Sequence, residues 1–360
     1  MMSIVARRGF KQTLYSATRV IDASPSFLQG KTNFKVISST AALGTNFYLD
    51  QETAAKLAKD SQESIINASL AYLQEKAKLK AKTAKALLGG AIATSTLLGV
   101  PLGHNVGGAF APARIRKAIL DGSTISTTEG KNLTDPRVLA DVGDVPVQDM
   151  RNLGVNDERL MTFISDSVKI VMDHFPLRPL VLGGDHSISY PVVRAVSEKL
   201  GGKVDILHFD ARPDLYENFS QTMQGKFTNR LVQVGIRSIT AERRAQGEKY
   251  GVEIHEMTNF AKEREQLENL TLGTGEGVKG VYVSINLDSL DPVYAHGVSD
   301  IESGGLCLKD VLSILHNLKG NIVGGDVVEY NPDPQSDAIK KITALVTAKL
   351  VKELAAKMSK

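Results

Sequence analysis

The sequence predicts an α/β protein: a central, mainly parallel sheet with helices on both faces, preceded by a helical N-terminal extension. Two observations carry this reading. After Gly89, short apolar runs alternate with stretches of helical period at the spacing of βαβ units. The runs are also near-continuously apolar, as in Val204-Asp205-Ile206-Leu207-His208-Phe209, which suits strands covered on both faces rather than strands with one face in water. A chain of 360 residues, 42% hydrophobic and 23% charged, has room for one large domain plus an extension and is not fibrous or disordered in composition.

Taken in order, the first 21 residues hold Arg7, Arg8, Lys11 and Arg19, hydroxyls at Ser3, Thr13, Ser16 and Thr18, and no acid before Asp22. Residues 1–25 are therefore expected to be a transit peptide for the mitochondrion, with the plastid as the alternative. Residues 26–90 form the helical extension, because Asp50 to about Lys85 is rich in Ala, Lys, Glu, Gln and Leu and has no proline or glycine, predicting one long helix or two. The remainder, residues 91–360, is a single sheet domain. Its expected strands are Thr96 to Val100, Leu180 to Leu182, Val204 to Phe209, Leu231 to Gly235, Gly280 to Ile285 and Asn321 to Val328, and a last helix is expected from Asp337 to Met358.

Composition also excludes whole classes of function. An excess of 43 basic over 40 acidic residues is too small for a nucleic-acid footprint. The most apolar run, Ala86 to Val100, is broken by glycines and hydroxyls and falls short of a membrane span. Cys307 is the one cysteine, which removes disulfides, redox pairs and cysteine-ligated zinc.

In open parallel sheets, ligands bind beyond the carboxyl ends of the strands, and here those ends are unusually polar. Leu182 is followed by Gly183-Gly184-Asp185-His186-Ser187, Phe209 by Asp210-Ala211-Arg212-Pro213-Asp214, Ile285 by Asn286-Leu287-Asp288-Ser289-Leu290-Asp291-Pro292, and Val328 by Glu329-Tyr330-Asn331-Pro332. Four strand ends should converge on one carboxylate-rich site. Read singly, Asp185 and His186 would pass for a helix cap and a core histidine.

From about Leu98 onward these segments together resemble the ureohydrolase family, the arginases and agmatinases, and the N-terminal extension and Asp141-Val142-Gly143-Asp144-Val145-Pro146 resemble its plant mitochondrial branch. The resemblance implies a three-layer arginase-like fold, assembly as a homo-oligomer (trimer or hexamer), and two Mn(II) ions that activate a bridging hydroxide against a guanidinium carbon. It assigns His186, Asp210, Asp214, Asn286 and Asp288 to the metal positions. Acid-base work would fall to Asp210, Asp214, Asp288 and Glu329, and substrate contacts to Arg212, Tyr216, Asn218 and Glu329.

Two positions depart from the family motif. Arg212 stands where the motif has histidine, and a guanidinium has no lone pair for a metal. Asn286 stands where it has aspartate, and an amide bridges two cations poorly. The loop after Asp214 is shortened and holds no histidine before His255, so the family's proton shuttle is missing, and Ala295-His296-Gly297-Val298-Ser299-Asp300-Ile301-Glu302-Ser303 departs at positions 296, 300 and 303. At most one tightly bound Mn(II) per chain is expected, or none. Arg212 would then fill part of the missing ion's volume and charge, leaving a site attractive to an organic cation. Three readings follow: an enzyme redeployed to a small cationic amine, iminium or guanidine metabolite; a non-catalytic partner in a hetero-oligomer with an active arginase; or a weak single-metal arginase.

Overall fold

A computed structural model describes residues 51–88, 95–103, 108–122, 125–126, 128–135, 138–152, 154–174, 178–213, 225–332 and 337–359. The expected transit peptide, and Asp214, Tyr216 and Asn218 among the expected site residues, lie outside the described residues. The chain divides into two units, residues 1–68 and 69–360. In the first, the described residues are helical. They begin helix α1 (Gln51–Leu88), one helix rather than two, whose later part buries Ser69, Leu73 and Ala77 at helical spacing. No helix among the described residues is long and apolar enough to cross a membrane.

Among the described residues the second unit is built on eight parallel strands: β1 (Ser95–Val100), β2 (Leu139–Asp144), β3 (Arg178–Gly183), β4 (Lys203–Phe209), β5 (Thr228–Ile236), β6 (Glu253–Glu256), β7 (Val278–Asn286) and β8 (Ile322–Val328). Their order across the sheet is β2-β1-β3-β8-β7-β4-β5-β6. Every pairing is parallel, and helices cover both faces. The helices are α2 (Ala111–Asp121), α3 (Val147–Asn152), α4 (Asp157–His174), α5 (Ser189–Leu200), α6 (Ala241–Lys249), α7 (Phe260–Glu268), α8 (Leu308–Asn317) and α9 (Asp337–Met358).

All six expected strands are present, and α9 has the expected bounds. The two strands that the apolar runs did not reveal are β2 and β6, the two edges of the sheet. Leu139–Asp144 alternates between buried and half-buried residues up to an exposed Asp144, and all four residues of Glu253–Glu256 are half-buried. An edge strand has one open side and is kept short and polar, so it gives no apolar run to detect. The centre is the reverse. Leu180, Val181, Leu182, Val283, Ile285 and Val327 are fully buried, with α9 supplying Leu350, Val351 and Leu354.

The strand order places β3, β8, β7 and β4 side by side, so their carboxyl ends are neighbours although the segments lie far apart in the chain. The turn out of β3 needs a glycine. A Cβ at Gly184 would stand 1.8 Å from the Leu102 carbonyl oxygen, while Asp185 N–H donates to that same oxygen at 2.8 Å.

Candidate functional site

A row of polar side chains crosses the sheet below the strand ends. The ladder pairs Gln233 of β5 with His208 of β4, His208 with Ser284 of β7, and Ser284 with Asp326 of β8. All four are buried. The Tyr282 hydroxyl donates to Asp326 Oδ2 at 2.6 Å and the Ser284 hydroxyl to Asp326 Oδ1 at 2.7 Å. With its hydrogen committed to Asp326, Ser284 Oγ accepts from His186 Nε2 at 3.0 Å. That fixes the ring and directs His186 Nδ1 at Asp210 Oδ2, 3.0 Å away.

Asp210, fully buried at the end of β4, collects donors from every side. Oδ2 receives His208 Nε2 at 2.9 Å and Asn286 Nδ2 at 3.1 Å, and Oδ1 receives the Arg212 N–H at 2.8 Å. Burial alone would raise its pKa, but the hydrogen bonds from His186 and His208 outweigh it and hold the carboxyl well below the ordinary range. The rings of His186 and His208 meet edge to face with centroids 4.6 Å apart. Among the described residues, His186, His208 and Asp210 form a group whose ligand atoms lie within 4.8 Å of one another.

Asn286 ends β7 and caps the short turn Leu287–Ser289. Its Oδ1 accepts the Asp288 N–H at 2.9 Å, so its amino group is the end that faces Asp210. Asp288, 2% exposed, accepts Ala211 N–H on Oδ1 at 3.2 Å and Arg212 Nη2 on Oδ2 at 3.0 Å. Burial, and after it the Asp210 charge, pushes the Asp288 carboxyl up to about 8, against the pull of the Ala211 N–H and the Arg212 guanidinium. The same Arg212 nitrogen donates to Asp300 Oδ2 at 2.9 Å. Arg212 thus spans a buried acid and one whose side chain is 63% exposed.

Glu329 follows β8 with a φ of 65°, the left-handed region, which a non-glycine residue enters at a cost of about 1–3 kcal/mol. Its N–H donates to the Gly184 carbonyl at 2.7 Å and its Oε1 accepts the His186 N–H at 2.8 Å, tying the ends of β8 and β3 together. Asp185 caps the turn at His186–Ile188, accepting from the Ser187 N–H at 3.1 Å and from the Ser187 hydroxyl. For Asp185 the cap reading is the structural one. Beside this corner lies a cavity of about 170 Å³ whose lining includes Asp185, Ser299, Asp300, Glu329 and Tyr330.

The structure brings together His186, Asp210, Arg212, Asn286, Asp288 and Glu329. Sequence reasoning missed His208, Gln233, Ser284, Asp326 and Arg237. His208 was legible: a polar residue in an apolar strand, two positions before Asp210, shares its face. Arg237 follows β5, and its guanidinium donates to the Asp288 carbonyl at 2.6 Å, the Glu302 carbonyl at 2.7 Å and the Ser303 carbonyl at 3.1 Å. It holds the backbone of the Asp288 turn against the segment that follows Asp300.

The sequence profile of the arginase family matches residues 93–356. The chain belongs to the arginase family. It is 61% identical over 320 residues to the mitochondrial arginase of Medicago truncatula, covering 84% of this chain and 93% of that one. It is 60% identical over 323 residues to mitochondrial arginase 1 of Arabidopsis thaliana, covering 85% and 93%. A solved arginase from Medicago truncatula superposes with a TM-score of 0.80 at 60% identity, over 85% of this chain and all of that one. Within the arginase family, the plant arginases are thus close relatives of this chain.

Proposed function

We propose that this arginase-family chain is a redeployed enzyme acting on a small cationic amine, iminium or guanidine metabolite, and not an efficient arginase. One observation carries the reading. The donors that face the two central carboxylates belong to the chain itself: the amino end of Asn286 on Asp210 and the guanidinium of Arg212 on Asp288.

A pair of manganese ions needs acceptor atoms where these donors stand. At the Arg212 end the residues do not fit an ion, because a guanidinium cannot ligate and Asn286 turns its amino end, which has no lone pair to give, toward Asp210. At the His186 end they fit one. Gln233 Oε1 is buried and lacks a partner among the described residues, while Gln233 Nε2 lies 3.0 Å from His208 Nδ1. Turning this amide over lets Oε1 accept from His208 Nδ1–H and frees His208 Nε2 to join His186 Nδ1 and Asp210 as a ligand. Asp214 would complete the set expected from the motif. One ion held there would polarise a bound ligand or water. Asp210, Asp214, Asp288 and Glu329 would move protons, and Asp185, Asp300 and Glu329 would give the cavity its preference for a cation.

A non-catalytic place in a mixed oligomer is the second reading, supported by the backbone match to a Medicago truncatula arginase. Assembly as a trimer or hexamer and import into the mitochondrion belong to the same proposal, the latter supported by relatives that carry mitochondrial names. Metal analysis of the purified chain, urea release from arginine and a thermal-shift screen of arginine-derived amines test it together. Two firmly held manganese ions with ordinary arginine hydrolysis would overturn it.

A further inference from the structure

We infer that the Arg212 guanidinium is a tethered occupant of a cation position between Asp288 and Asp300, and that the space it fills is a binding position for a planar guanidinium or amidinium. The inference rests on the proposed reading that Arg212 stands where an ion would otherwise sit.

The position is defined by two acids from separate segments. Asp288 Oδ2 lies 3.0 Å and Asp300 Oδ2 2.9 Å from one and the same nitrogen, Arg212 Nη2. Asp288 comes from the turn after β7 and is buried, whereas Asp300 comes from the segment following Val298 and lines the cavity. A cation there is desolvated on one side and reachable from solvent on the other. The Arg212 side chain is 29% exposed, so the position opens toward solvent.

A clamp separate from Arg212 joins the two segments that carry these acids. Arg237 bonds the backbone carbonyl of Asp288 through the same nitrogen that bonds the carbonyl of Glu302, two residues beyond Asp300. Cutting Arg212 back to its Cβ therefore leaves two acids facing a guanidinium-sized gap, with the Asp288 carbonyl still held beside that of Glu302. Both acids meet a single nitrogen, so the fit to a planar cation comes from the shape of the space that the rest of the Arg212 group fills and from its weak hydration, while a divalent ion would find too few ligands.

The test is Arg212→Ala in the full-length chain, followed by thermal melting with guanidinium chloride or acetamidinium chloride at concentrations far below the denaturing range. Sodium chloride and urea serve as the salt and shape controls. We expect the variant to melt below the native protein and to gain roughly 3 °C at about 10 mM guanidinium, saturably, as a ligand that binds only the folded state requires. The native protein, its position filled, should not respond, and Arg212→Ala with Asp300→Asn should bind guanidinium at least ten-fold more weakly. A folded Arg212→Ala that ignores both cations, or a native protein that responds equally, overturns the inference. Should Arg212→Ala fail to fold, Arg212→Lys decides: a lysine variant as stable as the native protein shows that any positive charge suffices and that the position is not built for a planar cation. Urea release by the native protein is a separate readout, so failure of the proposed function and failure of this inference show up in different experiments.

Discussion

Asn286→Asp changes one atom in the centre of the site, and its effect can be worked from the distances. In the native chain Asn286 Nδ2 donates to Asp210 Oδ2 across 3.1 Å, with both side chains buried. Aspartate keeps the oxygen that caps the Asp288 N–H but turns the other end from a donor into a second carboxylate oxygen. At an effective dielectric of about 20, unit charges at that separation repel by about 5 kcal/mol. The protein can instead protonate the new acid, which at pH 7 costs about 4 kcal/mol for a carboxyl of ordinary pKa. The two routes agree, so a loss of about 4 kcal/mol is expected, a fall of roughly 10 °C in melting temperature. The new acid would hold its proton more tightly folded than unfolded. Its folded pKa is raised, so the variant should be least impaired at acid pH and lose stability as pH rises through that folded value. Pairing the change with Arg212→His supplies a nitrogen ligand and an acidic oxygen together. Saturating Mn(II), at about one hundred times its dissociation constant, should then restore about 2.7 kcal/mol, and a chelator should remove it. Calorimetry in manganese and in chelator reads all of this. A single variant that melts within about 1 °C of the native protein at pH 8 would show that the amide donor is not what holds Asp210, and would refute the reasoning.

The native protein should release urea from arginine at least roughly 10³-fold more slowly than a complete family member, about 4 kcal/mol of barrier, in a steady-state urea assay; a rate within ten-fold would contradict this. Arg237→Ala removes the clamp on the Asp288 carbonyl and should cost about 3 kcal/mol in denaturant unfolding, with Arg237→Lys recovering only part because one ammonium cannot span those carbonyls; equal stability of both variants would count against the clamp. Gly184→Ala places its Cβ against the Leu102 carbonyl oxygen and should destabilise by about 3 kcal/mol or more, whereas a soluble variant of native stability would mean that this turn can move. Light scattering at micromolar concentration should give a trimer or hexamer, and a monomer would remove the assembly expectation.

Much of the site was legible because its residues sit where an apolar run stops. His186, Asp210, Asn286 and Glu329 each follow or end a central strand, and a polar residue at that point stands out against Leu182, Phe209, Ile285 and Val328. The supporting groups lie inside the runs. His208, Gln233, Ser284 and Asp326 read as interruptions of apolar strands until the ladder shows that they are neighbours. Arg237 was hidden for another reason: its partners are backbone carbonyls, which leave no trace in side-chain identity. The pairing of Arg212 with Asp300 depends on where an irregular segment comes to rest, which periodicity does not describe. Cys307, the one cysteine, is half-buried and caps α8, with Asp310 accepting from its N–H at 3.0 Å.

The polar row across β5, β4, β7 and β8 also bears on how the chain finds its alignment. A strand that is apolar on both faces has little to tell one register from the next, since a slip of one residue exchanges one greasy surface for another. In β7, such a slip would point Val283 and Ile285 at Asp326 and His186 and send Ser284 and Asn286 into the hydrocarbon on the far side. Both displacements bury polar groups without partners, at roughly 1–3 kcal/mol for each group. Misaligned sheets therefore carry a penalty that the apolar contacts alone could not impose, and the same hydroxyl that holds a histidine ring in the finished protein helps to reject wrong pairings while the sheet is forming.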